Sequence, residues 1–245
     1  MNAVKLLCFP YAGGAASVYN RWKLYAGKGI EIVPIELAGR GKRIREPLYQ
    51  SMGEAVEDLY RTILPLVENT PYAFWGHSMG GSIAFELCRK IIGMNRPEPL
   101  HLFISGRCPP SVYKECTILH NLPLQDLKEE ILDMGGTQSS IFENQELMEI
   151  FLPILRADFK LIEEYEYTAF GFETYQINCG ITAFTGTQDS MATYADMRLW
   201  EKHTRNEVEV HTFEGGHFFI HDSVPDIMRV VNGKLDSLRT EHSFL

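Results

Sequence analysis

Short apolar runs alternate with amphipathic segments along most of this chain. Val4 to Phe9 is nearly continuous in apolar residues, whereas Met52 to Val67 carries them at helical spacing. Further strands are predicted at Ile30 to Leu37, Tyr72 to Trp75, Leu100 to Ile104, Ile181 to Phe184 and Val208 to Phe213. Continuous apolar strands are typical of a parallel sheet that is buried on both faces. The alternation therefore predicts an α/β fold, with a mostly parallel central sheet and helices on both faces.

The alternation breaks once, between about residues 111 and 170. This stretch has no convincing strand, and its pattern predicts three helices, at Leu124 to Met134, Gln145 to Leu155 and Asp158 to Tyr167. A long helical stretch between two core strands is typical of a lid over a site. We therefore expect a single domain over residues 1–245, with a helical lid at about 111–170.

Charge and composition exclude several classes of protein. The net charge of −9 comes without a long basic run, which argues against nucleic-acid binding. The 5 cysteines form no Cys-x-x-Cys pair, which suits free thiols in a reducing, cytoplasmic compartment. No apolar run is long enough to span a bilayer. Pro10 also interrupts the apolar run after Lys5 early, which favours a first core strand over a signal peptide.

The pentapeptide Gly76-His77-Ser78-Met79-Gly80 lies between a predicted strand and a predicted helix. In that setting a G-x-S-x-G pattern places its serine on a sharp turn with the hydroxyl exposed. The pattern alone is weak evidence, because so short a motif also occurs by chance. A serine hydroxyl needs a neighbouring base and an acid that orients the base, and in this architecture they follow in the order Ser, Asp or Glu, His.

His217 is the predicted base. It follows the strand Val208 to Phe213 through Glu214-Gly215-Gly216, and functional groups in open α/β sheets gather at the carboxyl ends of the strands. His203 falls in a helical stretch, His211 lies inside a strand, and His221 is expected on a short helix with a structural role.

Asp189 is the predicted acid, since it follows the strand Ile181 to Phe184 on a loop at the same edge of the sheet. Asp196 is embedded in a helical run, which favours a solvated helix face, and Asp158 belongs to the predicted lid.

A tetrahedral intermediate also needs backbone N–H donors for its oxyanion. We expect one from Met79, directly after the serine, and one from Ala12 in the loop Pro10-Tyr11-Ala12-Gly13-Gly14, with Tyr11 as the alternative. No Gly-Lys-Ser/Thr follows these glycines, so they do not form a phosphate-binding loop.

Several segments resemble the type II thioesterases that accompany modular nonribosomal peptide and polyketide synthases. The similar segments are Cys8 to Gly14, Gly39-Arg40-Gly41 with Glu46-Pro47, Gly76 to Gly80, Gly135-Gly136-Thr137, Leu152 to Phe159, Thr185 to Asp189 and Gly215 to Phe219. They occur in the family's order, and those in the lid are the specific ones because ordinary esterases lack them. One departure is Ala38, where the family usually has proline.

The resemblance implies an α/β-hydrolase fold and hydrolysis of acyl thioesters from the phosphopantetheine arm of carrier domains, mostly to clear misprimed or stalled acyl groups. It assigns the nucleophile to Ser78, the acid to Asp189 and the base to His217, as the spacing does. We expect no cofactor and no metal, a carrier domain as the partner, no membrane association and a monomer. The basic residues Arg40, Lys42, Arg43 and Arg45 are a candidate docking patch for an acidic carrier.

Three alternatives stay open at this stage. The first is a fatty acyl carrier thioesterase that sets chain length with the same triad and a deeper pocket. The second is a general esterase or peptidase, which the lid segments disfavour. The third is a non-catalytic carrier-binding module, against which the complete set of Ser78, Asp189 and His217 argues.

Overall fold

The computed structural model describes residues 3–114, 117–136, 139–167 and 175–241. Its centre is a sheet of six parallel strands in the order β2-β1-β3-β4-β5-β6. The strands are β1 Val4–Phe9, β2 Ile30–Pro34, β3 Tyr72–His77, β4 His101–Ser105, β5 Gly180–Gly186 and β6 Val208–Phe213. The predicted parallel sheet is confirmed, and the second strand is shorter than its apolar run because it ends at Pro34.

Helices cover both faces of the sheet, and three more among the described residues lie in an insertion between β4 and β5. The helices are α1 Met52–Val67, α2 Met79–Gly93, α3 Leu124–Met134, α4 Ser139–Glu143, α5 Gln145–Glu163, α6 Tyr194–Arg198 and α7 Val224–Glu241. Ala16–Tyr25, Gly41–Arg43, Leu199–His203 and Phe219–His221 form 3₁₀ helices. Within the described residues, no helix has both the length and the apolar content to cross a membrane.

Alternating side chains of the strands build two separate cores. Leu7 and Phe9 of β1 pack with α1 and α2, whereas Leu6 and Cys8 pack on the other face with Trp22 and helix α7. This is the two-residue period expected of a strand covered on both sides. Large aromatic side chains fill the second core, where Trp75 packs against Trp22, Phe103 and Phe184.

The segment between β4 and β5, residues 106–179, is the insertion. It carries α3, α4 and α5, and a third core forms inside it from Leu119, Leu127, Ile131, Leu155 and Phe159. The two helices predicted at Gln145 to Leu155 and Asp158 to Tyr167 are one helix, α5, so that prediction was wrong. No glycine or proline separates Leu155 from Asp158, and the buried face continues through both. Asn144 caps this helix by accepting the Leu147 N–H at 3.1 Å.

The strand order reverses beside β1. The chain passes from β1 outward to β2 and then returns to β3 on the opposite side of β1. Loops that follow two such neighbouring strands diverge and leave a crevice at the carboxyl edge of the sheet, which is where ligands bind in open α/β folds. The loop Pro10–Gly14 after β1 and the turn at Ser78 after β3 flank this crevice.

Candidate active site

Ser78 forms the sharp turn between β3 and α2. Its backbone has φ 52° and ψ −117°, a combination that a non-glycine residue adopts only at a cost of about 1–3 kcal/mol. The surrounding structure holds the turn, since the Ser78 N–H donates to Ser105 O at 2.8 Å and the Gly81 N–H donates to Ser78 O at 2.9 Å. A strained turn of this kind holds the serine hydroxyl clear of the backbone at the end of a core strand.

Two glycines make this turn possible by their lack of a side chain. A Cβ at Gly76 would lie 2.1 Å from the carbonyl oxygen of Gly80, and a Cβ at Gly80 would lie 2.1 Å from that of Phe9. Either contact is far inside van der Waals distance, so the G-x-S-x-G glycines are steric requirements. The second contact also shows that the chain leaving β1 lies directly against the start of α2.

Asp189 and His217 form a buried pair at the same edge of the sheet. Asp189 follows β5, His217 follows β6, and Asp189 Oδ2 lies 2.9 Å from His217 Nδ1. The other oxygen, Oδ1, accepts the N–H groups of Met191 at 2.9 Å and Ala192 at 3.2 Å. A carboxylate at Nδ1 fixes the proton there and leaves Nε2 of the ring as the basic nitrogen.

Ser78 and His217 line one small cavity. Its volume is about 30 Å³, and the apolar part of its wall comes mainly from the insertion, namely Ile131, Met134, Leu155 and Phe159. His217 is hydrogen-bonded to Asp189 and not to the Ser78 hydroxyl, and contacts between a nucleophile and its base often tighten only in the Michaelis complex. The structure thus places all three predicted side chains at one crevice, with the His217–Asp189 pair formed.

The loop Pro10–Gly14 lies beside Ser78. Phe9, just before it, pairs in register with Gly76, and Tyr11 and Ala12 line the cavity together with Ser78. The amide N–H groups of Tyr11, Ala12 and Met79 donate to none of the described residues. Both predicted oxyanion donors are thus free to bind a ligand, and Tyr11 remains the alternative to Ala12.

His77 packs beneath the pair, a role that sequence reasoning did not assign. Its side chain is fully buried, its Nδ1 lies 2.9 Å from Ser105 Oγ, and its ring centre is 5.0 Å from that of His217. Burial, together with the nearby His217, lowers the pKa of His77 well below its usual value. A neutral ring at this position supports His217 without adding positive charge next to it.

The candidates that the sequence disfavoured lie away from this pair or in structural contacts. His203 Nε2 is 2.7 Å from Ser111 Oγ, and burial lowers the pKa of His203 to about 4. His221 Nε2 is 3.3 Å from the Tyr11 hydroxyl, and burial lowers its pKa as well. Asp196 closes a capping box at the start of α6 and pairs with Lys114.

Sequence reasoning missed a second buried carboxylate near the cavity. Asp158 of α5 forms a two-pronged ion pair with Arg40, with both nitrogen–oxygen distances at 2.6 Å. Its Oδ2 also accepts the Gly13 N–H at 2.8 Å. Arg40 and Asp158 each lie in a segment that resembles the thioesterase family, which could have drawn attention to them. Nothing in the sequence indicates that these two segments meet.

This pair corrects the predicted docking patch. Arg40 is 3% exposed and cannot meet a partner, and Arg43 is half-buried and bonded to Glu46 and Asp58. Of the four basic residues, only Lys42 and Arg45 have exposed side chains. The sequence pattern misled because a run of basic residues does not reveal which of them meet acids from distant segments.

One group of potential metal ligands occurs in the described part of the chain. Cys88, Glu98 and Cys179 hold their ligand atoms within 4.8 Å of one another. Both carboxylate oxygens of Glu98 already accept hydrogen bonds, from the backbone and side-chain nitrogens of Asn178. The described cysteines are free thiols, three of them buried, and Cys116 lies outside the described residues.

Comparison with known proteins gives one consistent family. The model of the family described as "Thioesterase domain" matches residues 4–235. The chain is 38% identical over 220 residues to the gramicidin S biosynthesis protein GrsT of Aneurinibacillus migulanus, covering 90% of this chain and 84% of that protein. It is 35% identical over 237 residues to the linear gramicidin dehydrogenase LgrE of Brevibacillus parabrevis, covering 96% and 88%.

The fold has a close structural counterpart. The crystal structure of ClbQ from the colibactin NRPS/PKS pathway superposes with a TM-score of 0.91 and is 37% identical in sequence. The match covers 98% of this chain and 99% of that one, so it includes the insertion as well as the sheet. The predicted α/β-hydrolase type of fold is therefore confirmed.

Proposed function

The chain belongs to the thioesterase family, and from that membership we propose that it removes acyl groups from the phosphopantetheine arm of carrier domains. This is the activity of a type II thioesterase, which clears misprimed or stalled acyl groups in nonribosomal peptide or polyketide synthesis. Relatives and a structural counterpart named for such biosyntheses support this pathway context. The observation that carries the chemistry is the strained Ser78 turn at one cavity with the bonded pair His217–Asp189.

Ser78 is the proposed nucleophile and His217 its base. The Ser78 hydroxyl attacks the thioester carbonyl while Nε2 of His217 takes its proton, and Asp189 stabilises the imidazolium that results. The negative oxygen of the tetrahedral intermediate then accepts the N–H groups of Met79 and Ala12. The intermediate collapses to an acyl-serine, and the pantetheine thiol leaves with a proton from His217.

Water completes the reaction by the same route. His217 removes a proton from a water molecule, which attacks the acyl-serine carbonyl, and the oxyanion again accepts from the two backbone amides. Collapse returns the proton to Ser78 and releases the acid. Every group in this cycle is a side chain or backbone amide of the protein, so we propose that the enzyme works without a resident cofactor or metal.

The remaining proposals concern the organisation of the protein and its partner. The carrier domain supplies the substrate, and we propose neither nucleic acid nor membrane as a partner. The proposed triad and its cavity are complete within a single copy of the chain, so the mechanism needs no second copy, and we propose a monomer. We also propose that residues 1–245 form one domain in which the insertion acts as the lid, because its α3 and α5 side chains close the cavity.

Two other functions are less well supported. An enzyme that sets the length of fatty acyl chains needs a deep apolar pocket, whereas Ile131, Leu155 and Phe159 of the insertion narrow the space beside Ser78. The dehydrogenase in the name of one relative is not transferred to this chain. The sequence contains no G-x-G-x-x-G dinucleotide-binding pattern, and its glycine-serine motif forms the turn of an acyl-transfer site.

The decisive experiment replaces the nucleophile. A carrier domain loaded with an acetyl group is incubated with the wild-type protein and with Ser78→Ala, and intact mass records the loss of the acyl group. We expect rapid release by the wild type and none above background by the variant. Ser82→Ala is the matched control, since it changes a nearby serine, buried in α2, that does not line the cavity. Continued release by Ser78→Ala would refute the assignment.

A panel of acyl groups separates the proposed function from the chain-length alternative. Acetyl and decanoyl groups are offered both on the carrier domain and on free pantetheine. An editing enzyme with this cavity should release acetyl faster, and faster from the carrier than from pantetheine. A clear preference for decanoyl would favour the enzyme that sets chain length.

A further inference from the structure

One buried ion pair joins three segments that are far apart in the sequence. Arg40 comes from the turn Gly39-Arg40-Gly41, Asp158 comes from α5 of the insertion, and both contact the loop Pro10–Gly14. The two side chains are 4% and 1% exposed, so the pair is shielded from water. A buried ion pair is tolerated when its remaining hydrogen-bonding groups also find partners. Here Asp158 Oδ2 and Arg40 Nη1 each make a further hydrogen bond to the loop Pro10–Gly14.

The contacts to the loop come from both partners. Asp158 Oδ2 accepts the Gly13 N–H at 2.8 Å, and Arg40 Nη1 donates to Gly14 O at 3.0 Å. The Gly13 N–H belongs to the peptide group that directly follows Ala12. The ion pair therefore holds the backbone on the far side of Ala12, whose own N–H is a proposed oxyanion donor.

Packing reinforces these hydrogen bonds. Gly13 has φ +76°, and a Cβ built there would lie 3.0 Å from both Leu155 and Phe151 of α5. On the other flank of the loop, the carbonyl oxygens of Pro10 and of the preceding residue, Phe9, lie against Gly80 at the start of α2. The loop is thus held between the Ser78 turn and α5, with Asp158 at the contact.

We propose that Arg40 and Asp158 are positioning residues that hold the loop Pro10–Gly14 in the shape required to bind the oxyanion. The inference rests on the proposed function, because it gives the loop a role in hydrolysis. Arg40 orients Asp158 through two hydrogen bonds, and a charged acceptor holds an N–H more strongly than a neutral one. Neither residue contacts the reacting atoms.

The same pair couples the insertion to catalysis. A movement of α5 away from the sheet would withdraw Asp158 from Gly13 and leave Arg40 buried without its partner. The oxyanion loop would then lose the contacts that fix it. The loop is complete only while α5 is in place, which confines hydrolysis to the state in which the insertion covers the cavity.

The test removes both charges together. A single Asp158→Ala change would leave Arg40 buried and unpaired, and the protein could fail to fold for that reason alone. The double variant Arg40→Met with Asp158→Leu removes the pair and its contacts to Gly13 and Gly14 while filling similar space. We expect it to fold, with kcat on acetyl-carrier lowered about 10- to 100-fold and KM within about twofold, because one oxyanion donor is misplaced.

A second readout distinguishes positioning from support of the fold. A trifluoromethyl ketone analogue of acetyl-pantetheine forms a tetrahedral adduct on a catalytic serine and needs the oxyanion donors. Its affinity should fall in parallel with kcat, since both depend on the transition-state geometry. Asp158→Asn, which retains an oxygen for Gly13 but no charge for Arg40, should lie between the wild type and the double variant in both measurements.

The control is a different ion pair, which joins a helix to the sheet. Lys234 of α7 pairs with Glu209 of β6 and contacts neither the loop nor the cavity, so Lys234→Met with Glu209→Leu should leave kcat and analogue affinity unchanged. Wild-type kcat and analogue affinity in the folded double variant would overturn the inference. If the double variant does not fold, the same two measurements on Asp158→Asn decide, and wild-type values there would overturn it. The release assay with Ser78→Ala tests the proposed function separately. If only the wild type releases acyl groups, wild-type behaviour of the double variant would overturn the positioning role alone and leave the proposed function standing.

Discussion

Two regions of the molecule each present a buried carboxylate near the same cavity. At the edge of the sheet, Asp189 accepts two backbone N–H groups and bonds to His217. In the insertion, Asp158 accepts one backbone N–H and bonds to Arg40. Histidine ordinarily titrates near neutral pH and can exchange a proton, whereas arginine stays charged. We therefore propose that the partner determines the use of each carboxylate: Asp189 supports proton exchange by His217, and Asp158 with Arg40 forms a fixed anchor.

The strongest test of this difference replaces the acid at the sheet edge. Asp189→Asn preserves shape but reverses the hydrogen-bonding preference toward Nδ1 of His217, which disfavours the tautomer with a basic Nε2. We expect kcat to fall by about 10³- to 10⁴-fold. Thermal unfolding should change little, because the amide oxygen can still accept the N–H groups of Met191 and Ala192. A loss of less than tenfold would contradict the catalytic role of Asp189.

The acid in the insertion should respond in the opposite way. Asp158→Ala leaves the Arg40 guanidinium buried without a counter-charge, and we expect the free energy of unfolding to fall by about 3–5 kcal/mol. Denaturant titration measures this loss, and Arg61→Ala, an exposed partner of Glu57, provides a control expected to change it by less than about 0.5 kcal/mol. Equal stabilities of the two variants would show that the buried pair does not anchor α5.

The contrast also separates what the sequence revealed from what it did not. The position of Ser78, Asp189 and His217 at one edge was predictable because each follows a strand whose apolar pattern is local, and parallel strands bring their carboxyl ends to one edge. The pair Arg40–Asp158 joins residues 118 positions apart through a helix that docks on the sheet. No local pattern records which face of α5 meets which loop. For the same reason Arg40 and Arg43 were wrongly predicted as a docking surface.

A third buried pair, formed by His101 and Thr182, carries no charge. His101 of β4 lies 2.7 Å from Thr182 Oγ1 of β5, and burial lowers its pKa to about 3. Between that value and the ordinary one of about 6.5, the unfolded chain binds a proton that the folded chain does not, so stability falls as the pH falls. We expect this histidine to remove about 2 kcal/mol of stability between pH 7 and pH 5.

His101→Gln tests this expectation, because glutamine can bond to Thr182 and does not titrate. The variant should lose less stability than the wild type between pH 7 and pH 5, as measured by denaturant titration at each pH. His211→Gln, a partly exposed histidine of β6, is the control and should show the wild-type dependence. An unchanged acid sensitivity in His101→Gln would assign the effect to other groups.

The smallest expected effect concerns the part of the insertion that covers the cavity, as distinct from the ion pair that anchors α5. Met134 of α3 lines the cavity and is half-buried, whereas Leu132 on the same helix is 37% exposed and does not line it. Met134→Ala enlarges a space of about 30 Å³, so longer acyl chains should fit better. We expect the ratio of kcat/KM for decanoyl over acetyl carriers to rise about tenfold, since each methylene group accommodated in an apolar pocket contributes about 1–3 kcal/mol. Leu132→Ala should leave the ratio unchanged, and so should the double variant of Arg40 and Asp158, which acts on kcat for every chain length. A rise of the ratio in that double variant would mean that anchoring and covering are one function of the insertion.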